Sequence, residues 1–377
     1  MRKLTDLDIT NKRILLRVDY NVPVDAKGNI LDDFKIKQSV PTLRYLLKKA
    51  KQVIILTHMG RPQGKIIPKL KTDKLALYLM KLTGREVAKL NDCINIEIPD
   101  NKIVLLENVR FHKEETDNDE DFAKELASLA DIYVNDAFGV SYNKHASIVG
   151  VPKFIPSCAG LLIEKEIENL DFTKIEHPFM VIIGGSKFSN KFPVINSLLP
   201  KVDKLLLGGA MIFTFYKAKG YTVGTSLFEK EQVMAAKLLL NNEKLILPKD
   251  IVVASQPKEN SKESTVLANM IPVAQMGLDI GPESIEHFKK ELSNAKTIFW
   301  NGPLGMYEIE KFANGSIEIA KYLALSKAKV IIGGGDSTTI IDKLNLKKEF
   351  DYVSTGGGAS LEFIKSGTLP GIEILKH

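Results

Sequence analysis

The segment GGGDST (333–338) puts three glycines, a carboxylate and two hydroxyls in succession after an apolar run. Glycines at a strand end let the chain pass close to a ligand. The free N–H groups of a helix opening there favour an anion, so phosphate is the natural guest. Asp336 offers a hard oxygen for Mg²⁺, and Ser337 with Thr338 can cap the helix or bind phosphate. A capped helix start with no ligand is the plainer reading, but a mere turn needs only one glycine. No GxxxxGK[ST] occurs, which disfavours an ordinary P-loop NTPase. In GGSKFSNK (184–191), Lys187 and Lys191 stand four apart, so on a helix opening there they share one face. Like charges at that spacing repel, and an anion between them accounts for the pair; a solvated surface pair is the other reading.

The first half offers side chains instead. In RVDYNVP (17–23), Asp19 and Asn21 alternate after a strand, so both can point to one side and hydrogen-bond a hydroxyl or a carboxylate-bearing ligand. His58 and Arg61 lie in THMGRP (57–62), and Arg110 lies in ENVRFH (107–112). Singly, each has an ordinary structural reading. Converging from separate strand ends, they make a cationic patch. The other histidines, His112, His145, His177, His287 and His377, show no ligand spacing and read as structural. No GxSxG elbow, Cys–His signature or zinc-type cluster is evident. Phosphoryl transfer needs none of them, only positioning, Mg²⁺ and positive charge.

The elements that must hold these residues follow from periodicity. Short β-branched apolar runs alternate with amphipathic stretches of helix length, the pattern of parallel sheets covered by helices. The first half supplies candidate strands at 13–18, 52–57, 85–90, 103–107 and 132–135, with helices at 35–50, 72–82 and 119–130. The second half supplies strands near 179–183, 204–207, 244–247, 297–300, 330–332 and 352–354. Between them a helical pattern at 159–170 follows the proline-marked VPKFIPS (151–157) and reads as a connector. The expectation is an α/β protein of two Rossmann-like, three-layer domains with parallel sheets, joined by an interdomain helix and hinge. The expected boundaries are 1–155, an interdomain helix at 156–175, a second domain at 176–355, and a C-terminal segment at 356–377 returning toward the first. Nearly every strand ends in an unusual residue, and open parallel sheets bind ligands at the carboxyl ends of their strands.

Bulk properties bound the rest. A chain of 377 residues exceeds the usual size of one hydrophobic core. The N-terminus has no apolar leader and no apolar run is long enough to span a bilayer, so no membrane association is expected. Cys93 and Cys158 are too few for a disulfide framework and lack metal-site spacing, which fits a reducing cytoplasm. Residues 1–69 carry fifteen Lys or Arg against six Asp, a net +9 within a chain of net +6. That charge can steer any anion, but no RNP sequence or recognition helix accompanies it, so no nucleic-acid partner is expected.

RVDYNVP, THMGRP, ENVRF, YVNDAFG, GGSK, GPES, WNGPLGMYE, GGGDST and STGGGAS occur in the order found in phosphoglycerate kinases, and the sequence resembles that family almost end to end. The resemblance implies reversible phosphoryl transfer in glycolysis. 1,3-Bisphosphoglycerate and ADP give 3-phosphoglycerate and ATP, in a monomer whose domains close about a hinge. It implies Mg²⁺ as cofactor, held by Asp336, with ATP or ADP as co-substrate. By the same resemblance Asp19, Asn21, Lys35, His58, Arg61, Arg110 and Asn143 form the acid site. Gly185, Lys187, Lys191, Gly209, Gly277, Asn301, Pro303, Glu308, Gly334, Gly335, Asp336 and Ser337 form the nucleotide site, with Glu308 on the ribose. Lys35, Lys187 and Lys191 are the implied catalytic residues, Lys191 following the transferring phosphoryl.

Three departures accompany this. Lys35 stands where the family pattern has its catalytic arginine, Tyr142 and Asn143 replace a His–Arg pair, and Asn190 stands where an acid is usual. A related acid kinase with another substrate, or a non-catalytic nucleotide-binding descendant, therefore stay open beside the main reading.

Overall fold

The computed structural model describes residues 1–376, without the side chain of Lys174; His377, read above as structural, lies outside the described residues. The chain divides into two compact units, Met1–Leu170 with Ser366–His377, and Asp171–Lys365. No described helix is long and apolar enough to cross a membrane.

In the first unit, β1 (Arg13–Val18), β2 (Gln52–Leu56), β3 (Ala88–Lys89), β4 (Ile103–Leu105), β5 (Ile132–Asp136) and β6 (Ser157–Ala159) form one parallel sheet. Its order is β3-β4-β2-β1-β5-β6. Ile14, Leu16 and Val18 of β1 pack in one core with Ile36, Leu43 and Leu46 of the Phe34–Lys49 helix. Leu15, between them in sequence, packs in the opposite core with Phe122 and Leu126 of the Glu120–Ser128 helix. With both faces covered, the strands read as continuous apolar runs rather than alternating ones. Two expectations change. The run at 85–90 yields only a two-residue strand. The proline-marked segment is not merely a connector, because Ser157–Ala159 pairs with β5 as a sixth strand and the helix then starts at Leu161.

The C-terminal tail belongs to this unit. Leu369, Ile372 and Leu375 are buried, Gly371 donates to Ser141 O at 2.8 Å, and Asn135 Nδ2 donates to Gly371 O at 3.0 Å.

The second unit contains β7 (Phe179–Ile183), β8 (Lys204–Leu207), β9 (Leu245–Ile246), β10 (Asp250–Ala254), β11 (Glu263–Leu267), β12 (Met276–Ile280), β13 (Thr297–Asn301), β14 (Lys329–Gly333) and β15 (Tyr352–Val353). Six of them make a parallel sheet in the order β15-β14-β13-β7-β8-β9. The other three make an antiparallel sheet, β11-β10-β12, that the periodicity does not announce. Most of β11 is exposed, and β12 carries Gly277 beside a bulge of its own, so neither shows the apolar run that marks a buried strand.

Each parallel sheet winds outward from its first strand on one side and then on the other. The carboxyl ends of β1 and β7 therefore lie at topological switch points, where such sheets bind ligands. At the second one the chain comes unusually close to itself. A methyl group on Gly184 would lie 1.9 Å from Pro303 O, and one on Gly302, whose φ is +91°, would lie 2.3 Å from Gly184 O. Only glycine fits both places. Trp300, the sole tryptophan, is buried on β13 and donates Nε1–H to Gly302 O at 2.7 Å. Gly184→Ala should therefore cost about 2–4 kcal/mol of stability, read as a lower denaturant midpoint of Trp300 fluorescence. An unchanged midpoint would show that the two backbones can part to admit the extra carbon.

Candidate functional site

In the first unit the strand ends bring most of the sequence-selected residues into one bonded cluster. Asp19 follows β1 and accepts Lys35 Nζ at 2.8 Å from the first turn of the Phe34–Lys49 helix. Its other oxygen accepts the Asn21 N–H at 3.2 Å and lies 4.0 Å from His58 Nδ1. Asn21 Oδ1 accepts the Gly60 N–H at 2.7 Å, while Arg110 Nη1 donates to Gly60 O at 2.9 Å. Arg110 Nε is buried without a partner. Arg61 and Asn143 are not tied in: Arg61 is exposed, and among the described residues neither side chain makes a hydrogen bond or ion pair.

One member of this cluster escapes the motif reading. Arg17, inside the strand run RILLRV, is fully buried. Its Nε donates to Ser147 Oγ at 2.8 Å, Nη1 donates to Val18 O, and Nη2 lies 3.4 Å from His58 Nδ1 and 4.0 Å from Glu115 Oε1. Glu115, also fully buried, accepts the Ser147 N–H at 2.8 Å and its hydroxyl at 2.7 Å. The signal was available in part, because an arginine in the middle of an apolar strand must be paired. Its side-chain partners Glu115 and Ser147, about a hundred residues away or more, were not.

These contacts set the charges. Burial alone would push the Asp19 carboxyl up, but positive charge led by Lys35, with Arg17 behind it, holds it at about 2. Burial drives His58 well below its ordinary value, and Arg17, Arg110 and Lys35 add to this against Asp19. Arginine can only donate, so the His58 Nδ1 facing it is an acceptor and the ring proton sits on Nε2. His58 thus contributes a neutral donor, not the cation that its place in the basic patch suggested. Arg110 is depressed by burial and by Arg17, the mark of two guanidinium groups close together without enough carboxylate between them.

In the second unit the glycine-rich strand ends line a cleft of about 580 Å³. Gly185, Lys187, Lys191, Asn301, Pro303, Gly334, Gly335 and Asp336 all face it. An adjoining cavity of about 340 Å³ is lined by Gly185, Gly209, Gly277, Pro303, Glu308 and Asp336 together with apolar Phe213, Leu278, Leu304 and Met306. The cleft is therefore mostly backbone and charge, the cavity mostly apolar. Gly185, at φ +134°, lets Lys191 pass: a methyl there would lie 3.2 Å from Lys191 Cε. Lys191 Nζ donates to Asn301 Oδ1 at 2.8 Å, and Asn301 Nδ2 donates to Gly333 O at 2.7 Å. Burial lowers Lys191 to about 8, with only Asp336 opposing it. Asn190 provides no carboxylate to hold that lysine up.

Two details of the motif reading change. The helix begins at Phe188, and Lys187 is its N-cap in extended conformation, so Lys187 and Lys191 line one cleft without sharing a helical face. Ser337 and Thr338 spend their hydroxyls inside the loop. Ser337 Oγ accepts the Gly302 N–H at 2.7 Å, and Thr338 Oγ1 donates to Gly334 O at 2.7 Å. Gly335 is the converse case. Its φ is ordinary, and a methyl there would touch nothing within 4 Å, so nothing in the protein itself requires glycine at that point of the cleft.

Comparison with known proteins agrees with this arrangement. The pattern of the family described as "Phosphoglycerate kinase" matches residues 4–367. The phosphoglycerate kinase of Moorella thermoacetica is 45% identical over 391 aligned positions, covering 100% of this chain and 99% of that protein. The cytosolic phosphoglycerate kinase of Triticum aestivum is 47% identical, covering 98% and 96%. Among solved structures, the phosphoglycerate kinase of Coxiella burnetii superposes with a TM-score of 0.87 at 37% identity, over 99% of this chain and 98% of that one. That of Pyrococcus horikoshii gives 0.86 at 30%, over 100% and 98%. With two switch-point clusters built as described and relatives matching end to end, the chain belongs to the phosphoglycerate kinase family.

Proposed function

We propose that the chain carries out its family's reversible phosphoryl transfer between 1,3-bisphosphoglycerate and ADP with the acid held on the first unit and the nucleotide on the second. The observation that carries this reading is the join between the cleft and the apolar cavity, which share Gly185, Ser186, Pro303 and Asp336. A nucleotide has the same two parts, a polyanion and a flat apolar base. The base belongs in the cavity between Leu278, Leu304 and Met306, with Glu308 at the rim to accept the ribose hydroxyls. The phosphates belong in the cleft over Gly334 and Gly335, at the N-terminus of the Gly335–Lys343 helix. Asp336 is suited to Mg²⁺, since it is an exposed carboxylate at the cleft with the Tyr307 hydroxyl on only one of its oxygens, at 3.1 Å. When bound, Mg²⁺ would offset phosphate charge. Ser337 acts indirectly, fastening the loop to Gly302.

On the first unit, the neutral Nε2–H of His58 and the guanidinium of Arg110 are donors for the acid, and Asp19 with Asn21 holds them in register through Gly60. Arg61 and Asn143 stay in the proposed acid site on the resemblance alone. The attacking carboxylate of 3-phosphoglycerate is ionised at neutral pH, so no general base is needed. Lys191 supplies the charge that follows the migrating phosphoryl, Lys187 adds a second cation at the cleft, and Lys35, fastened to Asp19, offers a third. Two buried free thiols are consistent with a cytoplasmic setting.

A coupled assay with 3-phosphoglycerate and MgATP tests the reading directly, and three expectations refine it. First, Lys191 is active when charged, so kcat/KM for ATP should fall as pH rises through about 8. Lys191→Arg should remove that alkaline limb, and Lys191→Ala should lower turnover on the order of 10²-fold or more while ATP affinity changes less. A profile unaffected by the arginine would assign the limb to another group. Second, Gly335→Ala should leave the unfolding midpoint unchanged yet weaken ATP binding by roughly tenfold, about 1.4 kcal/mol. Equal ATP affinity in calorimetry would place the phosphates elsewhere. Third, Lys35→Arg should raise turnover, because a planar fork can hold two phosphoryl oxygens where an ammonium holds one. Lys35→Ala should lower it. Identical kinetics in both variants and the parent would remove Lys35 from the reaction.

A further inference from the structure

Away from the strand-end clusters of the first unit, the fold assembles a donor set that cysteine spacing in the sequence does not reveal. Asp92 and Cys93 lie in the loop between β3 and β4, and His112 ends the short turn Val109–Phe111 that follows β4. One donor atom from each lies within 4.8 Å of the other two. Donors bound to one tetrahedral zinc ion at about 2.0–2.3 Å sit roughly 3.3–3.8 Å apart, so closing the set takes on the order of 1 Å of movement. The side chains can make it unequally. Cys93 is fully buried, His112 is 24% exposed, and Asp92 is 48% exposed, with its Oδ1 accepting the Cys93 N–H at 2.7 Å. The His112 ring is steadied by Phe122, with centroids 5.3 Å apart.

We propose that Asp92, Cys93 and His112 form a binding site for a zinc-class divalent cation, with water in the fourth position. Oxygen, sulfur and imidazole together form a donor set that zinc accepts and magnesium does not favour. The surroundings suit a cation. The carboxylate of Asp92 beside the Cys93 sulfur supplies negative charge that a divalent ion would offset. On binding, the Cys93 S–H bond is replaced by a metal–sulfur bond and the proton leaves to solvent. Asp92 turns to the metal from its 2.6 Å contact with His112 Nε2 and from the Cys93 N–H that its Oδ1 accepts at 2.7 Å. The Nε2 proton that His112 donates to Asp92 in the free chain leaves to solvent while Nδ1 takes one up, so the ring presents its Nε2 lone pair to the metal. The plainer account is a core cysteine beside a His–Asp hydrogen bond, and it makes the opposite prediction.

Co²⁺ added to the nucleotide-free full chain should give a thiolate-to-metal charge-transfer band in the near ultraviolet and tetrahedral d–d bands in the visible, both abolished by Zn²⁺. Cys93→Ser should lose the charge-transfer band and Cys158→Ser should keep it. Because Cys93 is in the core, the half-exposed side of the site is tested separately. Asp92→Asn and His112→Gln should keep the parent unfolding midpoint and weaken Zn²⁺ binding by at least about tenfold in chelator competition. No thiolate band in the parent, a band that persists in Cys93→Ser, or Zn²⁺ affinity unaltered by both Asp92→Asn and His112→Gln would each overturn the site.

Discussion

A strand covered on both faces has no dry-side or wet-side alternation in which to place polar groups, so chemistry is driven to its end. Both parallel sheets obey this constraint. β2, β5, β7 and β13 are buried along their whole length; Gly184 and Gly302 follow β7 and β13 directly, and His58 stands two residues beyond β2. Arg17 is a fully buried cation within β1, and its cost explains the network around it. A buried guanidinium must be compensated, and removing one partner of such a pair typically costs about 3–5 kcal/mol. Glu115, Ser147 and the Val18 carbonyl provide that compensation, and the last open direction of Arg17 is toward His58. The arginine thereby fixes which nitrogen of His58 carries the proton.

The two units answer the strand-end problem with different chemistry. The first fills its switch point with side chains whose charges are only partly balanced: Asp19 takes Lys35, Glu115 takes Arg17, and Arg110 is left with one backbone carbonyl. The second removes side chains there. Gly184, Gly209 and Gly302 are needed because backbone runs against backbone, whereas Gly335 is open to the cleft. Under the half-site assignment the acid meets a preorganised donor set and the nucleotide phosphates meet N–H groups, which cost no side-chain entropy to order.

Much of this was legible from residue order. The parallel strands, the three long helices of the first unit and the glycine-rich strand ends appear where apolar runs stop at turn-forming or charged residues. What stayed hidden has a common cause. Glu115 and Ser147 reach Arg17 across sequence gaps that no local pattern reports, and His58 lost its charge only through burial beside those cations. β11 and β12 were missed because an exposed antiparallel strand and a glycine-bearing one lack a buried strand's composition. Lys187 was placed on a helix that starts one residue later, an ordinary boundary error with a chemical consequence, since a capping residue aims differently from a helical one.

The departures from the family pattern bear on charge in both units and in opposite senses. Lys35 gives a single ammonium where the pattern has a guanidinium, and Asp19 at 2.8 Å already neutralises much of it. Asn143 removes a second guanidinium, so the first unit presents less diffuse positive charge to an incoming phosphoryl group. In the second unit Asn190 removes a carboxylate, and Lys191 is left with Asp336 as its one opposing charge. A lysine without a near carboxylate is costly to keep charged when empty, which its lowered value of about 8 records, and correspondingly ready to be recharged by an arriving anion. Under the half-site assignment, positive charge for the transferring group is thus withdrawn from the acid side and made less encumbered on the nucleotide side. A phosphoryl group that spreads its charge over three oxygens is stabilised by the total field it meets rather than by one named residue. Substitutions that lower that field on one unit and raise it on the other can therefore coexist with the same reaction.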